Sequence, residues 1–229
     1  MKNDSGTAAQ KRRAGESAAA EVTDGMVVGL GTGSTAAHAI EELGRAVDAG
    51  LDIRGVPTSF QSRQLAVEAG IPLVSLDEVE DTGVDLAIDG ADQFDAAGHL
   101  MKGGGAAHAR EKIVDASADR FLVVADPSKE SDPLDYPVPL EVLPDARTLA
   151  AERVRDLGGD PDLRAAERKD GPVVTDNGNL VLDCDFGAVE HPEALAADLA
   201  DIPGCVAHGL FVGMADEIHV GTATGVEVR

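Results

Sequence analysis

The sequence predicts an α/β fold: a Rossmann-like, mainly parallel sheet domain with a second, smaller ferredoxin-like α+β domain. Three observations lead there. Short apolar runs alternate with helical stretches as far as about Lys129, which is βαβα order. The segment SDPLDYPVP (131–139) then interrupts with prolines and no period. Beyond it the pattern changes to strand, helix, hairpin, helix and strand.

Along the first part, MVVGL (26–30) reads as a buried strand, followed by a helix to about Ala49. IRGVPTS (53–59) is the next strand and residues 61–69 the next helix. LVSL (73–76), DLAIDGAD (85–92) and FLVVAD (121–126) supply three more strands, with a helix from about Ala106 before the last. A parallel sheet gathers ligands at the carboxyl ends of its strands, so motifs at those ends carry the most weight. In the second part PLEVLP (139–144) is a strand, and Ala146, Leu149, Ala150, Val154 and Leu157 line one helical face. VVTDNGNLVLD (173–183) is a hairpin turning at 176–179, residues 192–204 form a second helix, and CVAHGLFV (205–212) a strand. DEIHVGTATGVEVR (216–229) reads as strands returning to the first domain. The expected boundaries are 1–130 plus 208–229 for the Rossmann-like domain and 131–207 for the ferredoxin-like one.

Composition narrows the function classes. The 229 residues carry 19 Lys+Arg against 42 Asp+Glu, a net charge of −23. That field argues against nucleic acid or an anionic membrane as partner. It does not signal disorder, because 43% of the residues are hydrophobic and apolar runs recur along the chain. The composition is that of a halophilic protein, whose carboxylates keep it soluble in concentrated salt while a Debye length of about 3 Å at 1 M mutes their repulsion. Cys184 and Cys205 are the two cysteines, in neither CxxC nor metal spacing, and read as ordinary thiols. The polar start MKNDSGTAAQKRR and the lack of any run of 18 apolar residues point to a soluble cytoplasmic protein.

Four motifs could carry chemistry. GLGTGSTAAHAI (29–40) leaves a strand and opens a helix, so the bare amides of Thr32, Gly33, Ser34 and Thr35, with the hydroxyls of Ser34 and Thr35, would meet an anion at a helix amino terminus. Gly31, Gly33 and Ala36 also fit a dinucleotide fingerprint, but Asp52 sits at the start of the next strand, not its end, which favours phosphate over NAD. A purely structural tight turn is the alternative. LAIDGADQFD (86–95) runs an apolar strand into Asp89, Asp92 and Asp95, which suit acid/base work on sugar hydroxyls or a divalent metal, while Asp95 also fits an Asx-turn.

MKGGGAAHARE (101–111) sets Lys102 before three bare glycines and a helix amino terminus. Glu111 lies about one and a half turns into that helix, and its side chain points back toward the loop. A base is one reading, an exposed helical glutamate the other, and His108 is a rival base. The six histidines show no HxH or HExxH pattern, so zinc is not expected. VVADPSK (123–129) ends a buried strand in Asp126, Ser128 and Lys129. In a chain this poor in lysine, Lys102 and Lys129 both follow strand ends and would offset the negative field for an anionic substrate.

GLGTGST, IDGAD, KGGGAAHARE and VVADPSK, in this order and spacing, closely resemble ribose-5-phosphate isomerase of the A type, and the resemblance extends through PLEVLP, VVTDNGN and the IPG at 202–204. It implies interconversion of ribose 5-phosphate and ribulose 5-phosphate through an enediolate, without metal or cofactor. By resemblance Glu111 is the base moving a proton between C2 and C1, Asp89 assists ring opening, Asp92 holds sugar hydroxyls and Lys102 stabilises the oxyanion. Substrate contacts fall to Thr32, Gly33, Ser34, Thr35, Gly90, Ala91, Gly103, Gly104, Gly105, Lys129 and, among the KRR residues, Lys11. The resemblance departs at Gln93, where the family pattern has an acid, and at PTSFQS (57–62), where Ser59 and Ser62 could keep a hydroxyl contact.

Two other functions compete: a sugar-phosphate sensor, which as a regulator would need a DNA-binding module this chain lacks room for, and acyl-CoA transfer with Glu111 as nucleophile. A homo-oligomer, dimer or tetramer, is expected from the added ferredoxin-like domain. The charge yields a direct test: the melting temperature should fall as KCl is lowered from molar to millimolar, and an unmoved melting temperature would remove the halophilic reading.

Overall fold

A computed structural model describes residues 6–79 and 83–229. They form two compact units, Asp92–Ala109 with Ser131–Gly213, and the described residues up to Ala91 with Arg110–Glu130 and Met214–Arg229. Residues 92–109 and 208–213, expected in the larger domain, thus group with the other unit.

The unit that begins the chain is built on a six-stranded sheet in the order Val226–Val228, Glu217–Gly221, Ala118–Ala125, Val84–Gly90, Val27–Leu30, Arg54–Pro57. Five strands run parallel and Val226–Val228 runs antiparallel to its neighbour. Val27–Leu30 is buried at all four positions, as a strand covered on both faces must be. Because it lies between Arg54–Pro57 and Val84–Gly90, the strand order reverses there, and the carboxyl ends at such a reversal are where α/β sheets bind ligands. Leu30, Ile40, Leu43, Leu86, Ile88 and Leu122 fill one core cluster, while Val27, Val56, Val84 and Val114 fill another.

In this unit two elements differ from expectation. A helix at Ala8–Ala19 lies ahead of the first strand, and its amino terminus is a capping box between Thr7 and Gln10. Its buried residues are Lys11, Ala14, Gly15, Ala18 and Ala19, so it shows no large apolar stripe that would reveal a period. Gly15 permits close approach to the helix Ser34–Asp48, since a Cβ there would come within 2.7 Å of the Ala39 nitrogen. LVSL, expected as a strand, makes a single bridge from Leu73 to Gly55 and then a 3-10 turn at Leu76–Glu78. Ser75 and Glu78 form a capping box, which takes the chain out of the sheet.

In the other unit four antiparallel strands lie in the order Cys205–His208, Val138–Val142, Leu180–Asp185, Asp160–Leu163. Numbered along the chain this is 4-1-3-2, with helices Arg147–Asp156 and Pro192–Ala200 as the two crossovers, which is the ferredoxin-like pattern. Asp160–Leu163, which alternates charge and proline with little apolar content, was not anticipated as a strand. CVAHGLFV divides at Gly209: Cys205–His208 pairs with Val138–Val142, and Leu210–Phe211 pairs with Leu100–Met101 in a separate three-stranded ribbon completed by Gln93–Phe94.

The VVTDNGN hairpin is anchored by fully buried Glu141, whose Oε1 accepts from Thr175 Oγ1 at 2.9 Å, Asn177 Nδ2 at 3.0 Å and Asn179 Nδ2 at 2.8 Å. Both cysteines are free thiols, and burial first, then Asp183, pushes Cys184 up to about 12. Among the described residues no helix is long and apolar enough to cross a membrane.

His219, in the strand Glu217–Gly221, is 2% exposed and meets Ser17 Oγ at 2.9 Å through Nδ1. Burial holds its pKa below the ordinary 6.5, against the opposing pull of Glu217 and Glu21. The unfolded chain therefore binds the proton more readily, so the stability that neutral His219 contributes is present above about pH 6.5 and is lost as pH falls through its folded value. His219→Gln should flatten the fall in melting temperature between about pH 7.5 and 5.5 relative to the native chain; parallel pH curves would show that His219 does not set it.

Candidate active site

At the strand reversal of the parallel sheet, Leu30 pairs with Ile88; the first strand leaves as Gly31-Thr32, and its neighbour runs on to end in Asp89-Gly90. Asp89 is fully buried, and its Oδ1 accepts the Thr32 N–H at 2.8 Å and the Gly90 N–H at 2.6 Å. A carboxylate withdrawn from water needs such donors, and backbone amides at the rim of a sheet supply them without side-chain entropy. Gly31 packs its Cα against this carboxylate, with no room for a Cβ.

The same loop is held from a second side. Thr32 Oγ1 lies 2.9 Å from Thr58 Oγ1 and donates to Ser59 Oγ at 2.7 Å. Ser59 caps the helix Phe60–Glu68, accepting from the Ser62 N–H, while Ser62 Oγ accepts from the Ser59 N–H. PTSFQS is thus a hydroxyl brace for the glycine loop, with Thr58, Ser59 and Ser62 all buried.

Gly33, at φ 106°, turns the chain into the helix Ser34–Asp48 and leaves the amino-terminal amides of Ser34 and Thr35 at its head. Lys11 reaches Ser34 Oγ with its Nζ at 3.1 Å and is 6% exposed, so of the KRR residues it is Lys11 that the structure brings to this loop. Lys129 is 8% exposed and closes a 3-10 turn capped by Asp126, whose Oδ1 accepts the Ser128 N–H at 2.9 Å. Glu111 lies in the first turn of the helix His108–Ala116 and is 6% exposed, which excludes the exposed-glutamate reading.

The antiparallel unit holds Asp92, Asp95, Lys102, the glycine run and His108, whereas Ala91 ends a segment of the parallel-sheet unit. Asp92 Oδ2 accepts the Gly104 N–H at 2.7 Å, and a Cβ on Gly104 would sit 2.8 Å from the other Asp92 oxygen. Gly103 has φ 103°, and a Cβ there would come 2.8 Å from His108 Nδ1. Ala106 follows at φ 58°, an uncommon conformation for a residue with a Cβ, and its N–H closes the turn on the Gly103 carbonyl at 3.0 Å. Lys102 is 2% exposed; its N–H donates to the Gly209 carbonyl at 2.8 Å and its Nζ stands 5.3 Å from the Phe211 ring centroid. His108, the rival base, is fully buried with Nε2 3.3 Å from the Ala207 carbonyl. Asp95 accepts the Ala97 and His99 N–H groups at 2.9 and 2.8 Å and pairs with His99, so it closes its own loop.

Residues 54–225 match the family model of ribose 5-phosphate isomerase A, or phosphoriboisomerase A. The chain belongs to this family. It is 72% identical to the ribose-5-phosphate isomerase A of Haloarcula marismortui, over 98% of this chain and 96% of that one. A solved ribose 5-phosphate isomerase A from Methanocaldococcus jannaschii superposes with a TM-score of 0.91 at 42% identity, covering 96% of this chain and 97% of that one. A D-ribose-5-phosphate isomerase in complex with phospho-erythronic acid superposes at 0.93, also 42% identical, with the same coverage.

Against the isomerase family pattern, the departure at Gln93 has a structural reason. Gln93 is 5% exposed; its Oε1 accepts the Asp135 and Tyr136 N–H groups at 3.0 and 2.9 Å, and its Nε2 donates to Asp135 Oδ1 at 2.6 Å. An amide serves both polarities here, whereas an acid would face the Asp135 carboxylate. The hydroxyl brace can be tested apart from any activity. Ser59→Ala removes a helix cap and a Thr32 partner, so it should cost about 1 kcal/mol, read from urea unfolding in molar KCl; a cost near zero would mean that the brace contributes no stability.

Proposed function

We propose that this protein interconverts ribose 5-phosphate and ribulose 5-phosphate through an enediolate, with Glu111 as the general base. Membership of the isomerase family supports the reaction class. The observation that carries the mechanism is that the lysine before the glycine run and the glutamate after it in the sequence are each withdrawn from water, Lys102 at 2% exposure and Glu111 at 6%.

A proton on carbon beside a carbonyl is too weakly acidic for a fully hydrated carboxylate to remove at a useful rate. Withdrawn from water, Glu111 takes the proton from C2 of the open-chain aldose and returns it to C1, while the hydroxyl proton moves from O2 to O1. The charge that develops on the oxygen between these events needs a donor already in position. Lys102 supplies a cation there, and the Gly103 and Gly105 amides supply dipoles, while the Gly104 N–H holds Asp92. Asp89, fixed by the Thr32 and Gly90 amides, assists opening of the furanose ring, and Asp92 accepts from the sugar hydroxyls. Thr32, Gly33, Ser34 and Thr35 receive the phosphate at the helix amino terminus, with Lys11 and Lys129 offsetting its charge; Gly90 and Ala91 line the sugar.

Phospho-erythronic acid, bound in the solved relative, carries a carboxylate, a negative charge like that of an enediolate, and so fits the reading. The assignment carries with it a cytoplasmic homo-oligomer, dimer or tetramer.

Glu111→Gln keeps shape and removes the base. In molar KCl with EDTA present, kcat for ketose formation should drop by about 10² to 10⁴ while KM changes little. Near-native turnover by that variant would move the base elsewhere, and loss of native turnover on adding EDTA, restored by metal, would turn Asp89 and Asp92 into ligands.

A further inference from the structure

We infer that Arg164 is a positioning residue for the reaction, acting through the peptides of the glycine loop; the inference rests on the isomerase reading given above. Arg164 follows the strand Asp160–Leu163, about sixty residues from the motif it touches. Its Nη1 donates to the Gly103 carbonyl at 2.8 Å and approaches the Gly104 carbonyl at 3.5 Å.

The consequence follows from peptide geometry. In a trans peptide the C=O and N–H point in opposite directions. Drawing the Gly103 and Gly104 carbonyls to one guanidinium therefore aims the Gly104 and Gly105 N–H groups the other way. The first of these is found where that predicts, donating to Asp92 Oδ2 at 2.7 Å. The Gly103–Gly104 peptide is clamped at both ends, carbonyl to Arg164 and N–H to Asp92.

Glycine peptides flip easily because no Cβ restricts them. A flip of the Gly103–Gly104 peptide would turn a carbonyl oxygen on the Asp92 carboxylate, and a flip of Gly104–Gly105 would present one where the developing oxyanion needs a donor, so the polarity of the loop has to be imposed from outside. Arg164 is suited to impose it because it is itself held on three sides. Its N–H donates to the Val181 carbonyl and its carbonyl accepts from the Val173 N–H, both at 2.9 Å. Its Nε donates to Asp183 Oδ2 at 2.9 Å and its Nη2 pairs with Asp183 Oδ1, a two-pronged contact that fixes the guanidinium plane. The side chain is 14% exposed, which limits competition from water.

Arg164 touches no reacting atom in this scheme, so the test must separate positioning from simple stability. Native protein, Arg164→Gln, Arg164→Lys and Asp183→Asn are compared in molar KCl for kcat and KM with ribose 5-phosphate, inhibition by phospho-erythronate, and melting temperature. For Arg164→Gln, kcat should fall about 10- to 100-fold, with KM held within about threefold and inhibition weakened in step with kcat. Arg164→Lys should recover part of the loss, because an ammonium still reaches one carbonyl. An Arg164→Gln protein that folds and keeps native kcat, or that changes only KM, overturns the inference. If Arg164→Gln does not fold, Asp183→Asn decides: a reduced kcat at unchanged KM supports the clamp and an unchanged kcat removes it. Native protein without turnover would instead remove the isomerase reading, and this inference with it.

Discussion

A fully buried carboxylate at the reversal of a parallel sheet is the constraint on which the rest of the first unit depends. Two backbone amides point at Asp89 and help to keep it out of water, one from the end of its own strand and one from the glycine loop next door. That demand couples otherwise separate features: parallel pairing of Val27–Leu30 with Val84–Gly90, a residue without Cβ at Gly31, and a loop that reaches back as Thr32. The Thr58–Ser59–Ser62 hydroxyls then brace Thr32 from the next strand and helix. Leaving a buried acid without such partners costs several kcal/mol, so glycine loop and acid are specified together.

The glycine run in the other unit solves the complementary problem of directing dipoles with a flexible backbone. Positive φ at Gly103 and Ala106 sets the turn, Asp92 takes one N–H, and Arg164 takes the carbonyls. Beside it Lys102 keeps a cation against the Phe211 ring in a chain whose net charge is −23. Against so negative a background buried lysines such as Lys102 are local exceptions, while the surface carboxylates serve solubility in salt. The two uses of charge are separated by burial, because screening acts strongly on exposed groups and weakly on buried ones.

Much of this was legible in the chain. GLGTGST and IDGAD could be placed at strand ends because apolar runs precede them, and turn residues announced the VVTDNGN hairpin. The 4-1-3-2 sheet followed in outline from strand and helix order, although Asp160–Leu163 was hidden by its aspartates and proline. The first helix was hidden for a different reason, since its buried face is alanine, glycine and one lysine and so lacks hydrophobic contrast. LVSL looked like a strand because four residues cannot distinguish a strand from a capped turn.

What the sequence determined by itself is whatever depends on local chemistry: which glycines must be bare, where helix amino termini open, and which acids and lysines stand at strand ends. The tertiary structure alone decided the partnerships across the chain. Nothing local links Arg164 to Gly103, Gln93 to Asp135 and Tyr136, or Thr32 to Thr58 and Ser59, because each contact joins segments that only sheet order and register bring to one point. The physical reason is that a side chain's partner is set by distance in space, whereas sequence periodicity reports only which face of its own helix or strand it occupies.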